Sequence, residues 1–373
     1  MALNCGIVGL PNVGKSTIFQ ALSRARAECA NYPFCTIEPN VGMVSVPDER
    51  LARLAQVFAP KRVVPATVEF VDIAGLVQGA SKGEGLGNRF LGHIREVGAL
   101  VHVVRCFEDG DVVHVCGGTD PLRDIGVVNV ELALADLETL EKRRERAERA
   151  LKVGAAEKKG VELLLGALEK VEGALNAGRF ARTAGLVGEE ALAVADCGFI
   201  TMKPQIYVCN TDEQGVKRGA AGAPPQYVAA VRALAEDEGA QCVAMCGKFE
   251  AELADIEDEG ERRAFLEELG FAQGGLARLV RSAYGLLGLA TFFTAGADEC
   301  RAWTVRLGAS APEAAGVIHS DFQRGFIKAE VYSFDDLVRC GSEAKIREAG
   351  RLRVEGKEYA VRDGDVMFFK FNV

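Results

Sequence analysis

The sequence holds no CxxC pair, no apolar stretch long enough to span a bilayer, no internal repeat and no long low-complexity tract. Each gap removes a class. The eleven cysteines are scattered, and the spacings Cys242/Cys246 and Cys29/Cys35 lack neighbouring histidines, so no zinc site is expected. Reduced thiols in a cytosol are expected instead, with Cys5, Cys106 and Cys209 as small core residues of apolar strands. The first apolar run has no charged leader and reads as a strand rather than a signal peptide, and no membrane partner is expected. Positive charge is also short. Forty-four Lys and Arg stand against 53 Asp and Glu, a net charge of -9, which excludes an electrostatic nucleic-acid binder acting as a whole and leaves DNA out. Any polyanion contact must use a local patch. Histidine is limited to His93, His102, His114 and His319.

What is present is a phosphate loop in its proper setting. Gly9-Leu10-Pro11-Asn12-Val13-Gly14-Lys15-Ser16-Thr17 follows the short apolar run Cys5–Val8 and precedes a helical stretch from Ile18. Glycines let the backbone curl so that successive N–H groups converge on phosphate oxygens, and the helix adds the positive end of its dipole. Lys15 is the residue expected to reach the β- and γ-phosphates, and the Ser16 hydroxyl to ligate Mg²⁺. Val13, Gly14 and Thr17 complete the loop's contacts.

Two distant segments fit the same chemistry. Val68–Asp72 ends an apolar run in a carboxylate and continues to Gly75, an Asp-x-x-Gly element in which Asp72 holds Mg²⁺ through water and the Gly75 N–H faces the γ-phosphate. Pro204–Asn210 is a further buried run leading into Asn210-Thr211-Asp212-Glu213, where such a protein reads its base. A guanine reader uses Asn-Lys-x-Asp. Here the lysine is absent and Glu213 is a methylene longer than the aspartate, which spoils a bidentate fit to guanine, while Asn210 still suits adenine. The corner favours ATP over GTP, although Asp212 would compensate if the loop slipped.

The organisation follows from the same reading. Strands are expected at 4–9, 66–72, 98–106, 204–209 and 240–245, with helices at 15–25, 48–58 and 86–96, an alternation that makes a parallel α/β sheet. Residues 130–152 and the stretch from Val161 to Leu175 carry apolar residues at helical spacing, separated by Gly154 and Gly160, and read as an inserted antiparallel helical hairpin. Between Lys142 and Lys159 this arm is locally basic, which suits either a solvated face or an RNA-phosphate contact. After about 285 the texture becomes short strands: 291–294, 301–305, 327–331, a hairpin of 352–354 with 359–361, and 366–371. Ser333-Phe334-Asp335-Asp336 reads as a helix cap. This is a small α+β module with one or two short helices.

With these motifs in order, the chain resembles the Obg-like ATPases of the YchF type. The resemblance rests on Gly9–Thr17, Asn31–Asn40, Asp72–Val77, Gly83–Asn88 and Asn210–Glu213, and on Phe292–Val373, which looks like a TGS domain. It implies a P-loop, GTPase-like, mainly parallel sheet over residues 1–285, a helical coiled-coil insertion over 130–200, and a ubiquitin-like β-grasp domain over 288–373. Thr36 would then join Ser16 and Asp72 as the Mg²⁺ ligands, and Asn12 would either stabilise the loop or help hold K⁺. Asn210, Thr211 and Glu213 would contact the base. Leu76 stands where related hydrolases place a water-orienting glutamine, and the resemblance offers His114 for that task; a histidine satisfied in an apolar strand is the other reading. A cytoplasmic monomer is expected, associated with the large ribosomal subunit or 70S ribosome through rRNA contacts of the basic arm and the TGS domain. A conventional GTPase and a nucleotide-gated scaffold with negligible hydrolysis remain the rival readings.

Overall fold

The computed structural model describes residues 3–24, 40–73, 86–109, 117–153, 158–256 and 258–372. Twelve strands run through them: β1 Asn4–Val8, β2 Val41–Ser45, β3 Arg62–Val64, β4 Thr67–Asp72, β5 Ala99–Arg105, β6 Gln205–Asn210, β7 Gln241–Met245, β8 Leu289–Ala295, β9 Glu299–Arg306, β10 Phe326–Ser333, β11 Arg353–Glu355 and β12 Asp365–Phe371. They form two six-stranded sheets, ordered β2-β4-β1-β5-β6-β7 and β11-β10-β12-β8-β9-β3. The chain divides into two compact units, one of Met1–Gly42 with Glu69–Leu279 and one of Met43–Val68 with Val280–Val373.

In the first sheet β1 lies parallel to β4 and β5, β5 to β6, and β6 to β7. Every residue of β5 and β6 is buried, as unbroken apolar runs require when helices cover both faces of a parallel sheet. The helices Lys15–Arg24, Glu49–Phe58 and Leu86–Glu96 fall where periodicity put them. Parallel pairing sends the carboxyl ends of β1, β4, β5, β6 and β7 to one edge, where ligands of open α/β sheets bind. Cys5, Cys106 and Cys209 are all core residues, and burial pushes the Cys5 thiol up to about 12.

The inserted hairpin consists of the helices Pro121–Val153 and Lys158–Asn176. The first begins well before residue 130, with proline at its first position and the Asp120 carboxylate accepting the Arg123 N–H at 3.1 Å. Gly160 is no break; it lies in the opening turn of the second helix, where glycine costs little. Gly154 lies outside the described residues. Leu140, Leu168, Val171 and Leu175 form the seam, whereas Val130 faces outward. Asp136 fastens the returning chain by accepting from the Ile200 N–H, the Thr201 N–H and the Thr201 hydroxyl at 2.8, 2.7 and 2.6 Å.

The second sheet is mixed. β8 is antiparallel to β9 and parallel to β12, and β10 is antiparallel to both β12 and β11. Three points differ from the sequence reading. The 352–354 segment pairs with β10, not with 359–361, because the latter is held by 309–311 through Ala311 N–H to Tyr359 O (2.9 Å) and Val361 N–H to Ala309 O (2.8 Å). The module carries four helices, Ala311–Ile318, Ser320–Arg324, Phe334–Cys340 and Glu343–Glu348, rather than one or two. Residues 43–68 group with the C-terminal residues instead of the first domain, since β3 pairs with β9 in parallel and Arg50 bonds Asp363 at 2.6 Å. Ser333 does cap its helix, accepting from the Asp336 N–H at 3.1 Å.

His102, mid-strand in β5, is enclosed beside Gln205 (3.4 Å) and the Tyr207 ring, and burial lowers its pKa to about 3. The unfolded chain takes up this proton near the ordinary value of 6.5, and the folded chain does not. Stability from His102 is therefore full above about 6.5 and is lost as pH falls toward about 3. Denaturant melts between pH 7 and 4 should show His102→Gln with a shallower acid-side loss, by about 1.4 kcal/mol per pH unit. Parallel curves for the two proteins would contradict this.

Candidate functional site

The phosphate loop leaves β1 at Val8 and turns into the helix Lys15–Arg24. Gly14 takes φ +91°, and a Cβ there would sit 2.1 Å from the Asn210 amide nitrogen, so only glycine satisfies both the turn and the approach. Asn12 is left-handed at φ 63°. Ser16 is exposed at the helix start, Thr17 half-buried, and Val13 buried.

Register brings the second motif alongside. Ile7 of β1 pairs with Asp72 of β4, so the carboxylate ending β4 lies next to the loop leaving β1. The Lys15 ammonium bonds the Asp72 carboxylate directly and the Ile73 carbonyl at 2.9 Å. The two charges that flank a metal–phosphate group in a nucleotide site thus neutralise each other here, in a mostly buried setting. Lys15 and exposed Ser16 open the helix Lys15–Arg24 and Asp72 is held on Lys15, so an ammonium suited to phosphate and a hydroxyl and a carboxylate hard enough for Mg²⁺ belong to one short stretch of structure. Thr36, Gly75, Leu76 and His114 lie outside the described residues.

The base-side corner is built differently from the sequence reading. The Asn210 side chain is buried and bridges two segments: one Nδ2 hydrogen donates to Val13 O and Oδ1 accepts from the Gly247 N–H, both at 2.9 Å. It ties the phosphate loop to the start of the helix Gly247–Ala254. Thr211 is buried, with its N–H on Met245 O at 2.9 Å. Asp212 does not replace a guanine-reading aspartate, because it caps the helix Glu213–Ala220, its Oδ1 accepting from the Gly215 N–H at 2.5 Å. Glu213 is exposed in that helix's first turn.

Sequence reasoning missed one contributor to this corner and two arginines that hold a nearby loop. Gly247 completes the Asn210 bridge. Arg105, buried at the end of β5, donates to Phe107 O (3.2 Å) and Asp109 O (3.0 Å), and Arg123 donates to Gly117 O (3.1 Å) and Gly118 O (3.0 Å). A guanidinium therefore grips the backbone on each side of residues 110–116. The signal for Arg105 was a cation closing an otherwise apolar strand.

The arm's basic run is partly used internally. Arg143 donates to Asp196 O at 2.6 Å and Arg144 pairs with Glu172. Lys142, Arg146, Lys152 and Lys159 are exposed, and among the described residues none has an ion-pair partner.

Residues 4–148 match the family described as 50S ribosome-binding GTPase, and residues 289–372 match YchF-GTPase_C, described as a protein of unknown function. The protein from Haemophilus influenzae named ribosome-binding ATPase YchF is 51% identical over 373 residues, all of both chains. The chain belongs to the YchF family. The Bacillus subtilis relative of the same name is 50% identical over the same span. The Schizosaccharomyces pombe YchF GTPase structure superposes with a TM-score of 0.88 at 36% identity, covering 99% of this chain and 97% of that one. The GTP-binding protein from Pyrococcus horikoshii, at 17% identity and a TM-score of 0.60, shares the fold. The P-loop, GTPase-like α/β architecture with a C-terminal β/α domain is thus common to this chain and the yeast YchF structure.

Asn210→Ala leaves Val13 O and Gly247 N–H buried without partners, each costing about 1–3 kcal/mol. Calorimetry should find ATP and GTP affinities reduced alike, by at least about tenfold, and the melting temperature lowered. A loss confined to one nucleotide would make Asn210 a base reader instead.

Proposed function

We propose that this chain is an ATP-binding and ATP-hydrolysing switch protein that works at the ribosome in the cytoplasm as a monomer. Residues 1–285 would handle nucleotide, with 130–200 as an arm, and 288–373 would form the second contact module. The observation that carries the reading is the contact of Lys15, at the head of the helix after the phosphate loop, with Asp72 at the carboxyl edge of the parallel sheet. The full-length relatives named ribosome-binding ATPase support the partner and the nucleotide. The commitment of Asp212 to its helix cap supports adenine, since it leaves guanine without an aspartate acceptor at that position.

Lys15 would bind the β- and γ-phosphates once it leaves Asp72, and Val13, Gly14 and Thr17 would donate backbone N–H groups to them. Ser16 and Asp72, with Thr36, are the residues that would hold Mg²⁺, which supplies charge neutralisation to the phosphates when bound. Asn12 would serve the loop, with K⁺ as its second role; Gly75 would face the γ-phosphate; Thr211 and Glu213 would border the base. His114 would accept a hydrogen bond from water where Leu76 provides none. The exposed cations of the arm, Lys142, Arg146, Lys152 and Lys159, would contact rRNA phosphates.

The yeast relative is named a GTPase, which makes GTP the specific rival. Phosphate release from ATP should fall to background in Lys15→Ala, and titration calorimetry should give tighter binding of ATP than of GTP to the wild type. Unchanged release in the variant would make the activity a contaminant, and tighter GTP would overturn the adenine reading. His114→Ala should lower kcat at unchanged ATP affinity; an unaltered kcat returns that histidine to a packing role.

A further inference from the structure

Only Thr211 and Asp212 connect β6, which ends at Asn210, to the helix Glu213–Ala220. So short a link folds both side chains onto the helix's first turn, and both meet it at Gly215. Gly215 is buried, and its φ lies outside the left-handed region, so its backbone places no demand for glycine. Space does. A Cβ at 215 would overlap the Thr211 hydroxyl and would stand 2.8 Å from Asp212 Oδ1 and 3.1 Å from Pro225 Cγ. Thr211 is buried and β-branched, which leaves it little freedom to turn aside. Pro225 closes the far side at the start of the helix Gln226–Asp237. Asp212 accepts the Gly215 N–H at 2.5 Å, an approach that a methyl group beside it would force apart. Gly219, in the same helix, has nothing within 4 Å of the place its Cβ would take.

We propose that Gly215 determines base specificity by keeping Asp212 on its helix cap. A carboxylate held there is not free to accept from the N1–H and exocyclic amine of guanine. Adenine presents no such pair of donors and loses nothing by the arrangement. Gly215 touches no base; it is a positioning residue that acts through its two neighbours in the turn. That residues 210–213 border the base belongs to the proposed function; the packing around Gly215 stands without it.

Titration calorimetry of the full-length protein with non-hydrolysable analogues of ATP and GTP tests this. Gly215→Ala should lower the preference for ATP over GTP by about tenfold, the worth of one hydrogen bond to a charged acceptor. Adding Asp212→Ala removes that acceptor and should restore the preference. Gly219→Ala, in open space, should keep the wild-type ratio. A purely structural role for Gly215 would weaken both nucleotides alike and leave the ratio unmoved. If melting shows that Gly215→Ala does not fold, the same ratio is read in Gly215→Ala/Thr211→Ser. Serine lets the hydroxyl rotate away while the new methyl still crowds Asp212, so the same fall is expected. A wild-type ratio in the folded 215 variant, or a lowered one that Asp212→Ala fails to restore, would overturn the inference. Equal affinities in the wild type would remove the adenine reading itself; an ATP-preferring wild type whose ratio survives Gly215→Ala would remove this inference alone.

Discussion

One buried amide holds the nucleotide site together. Asn210 ends β6 and bridges a carbonyl of the phosphate loop, at Val13, to the N–H of Gly247 that opens the helix Gly247–Ala254. An amide out of water is costly unless both its oxygen and its nitrogen are answered, and here both are. The same bridge dictates Gly14, because the amide nitrogen occupies the space a side chain would take. The curled loop is therefore shaped from outside itself, by a residue on a neighbouring strand.

Electrostatics are organised around a reciprocal pair. Lys15 and Asp72 reach each other because parallel register aligns the ends of β1 and β4. They satisfy one another, so neither charge is left buried without a counter-charge.

The sequence announced what is periodic or chemically distinctive. The parallel strands, the first three helices, the phosphate loop and the Asp72 carboxylate all follow from runs and spacings that local physics reads directly. What stayed hidden depended on distant partners. The type of Asn210 suits adenine, but its role as a bridge needed the positions of Val13 and Gly247. Asp212 looked available until its helix took it as a cap. The 359–361 segment has strand-like residues, yet pairing is decided by which edge is near, and 309–311 was nearer. Gly160 looked like a stop, but a glycine at a helix's opening turn gives no such signal in either direction.

The grouping of Met43–Val68 with Val280–Val373 bears on how the molecule can be taken apart. Strand β3, supplied from early in the chain, covers the outer edge of β9. A scission near residue 285 would release a tail whose sheet ends in a bare row of amide and carbonyl groups, a template for sticking to other chains. Neither unit can be liberated by one cut, so truncation studies must carry residues 43–68 along with the tail, or read aggregation as though it were loss of function.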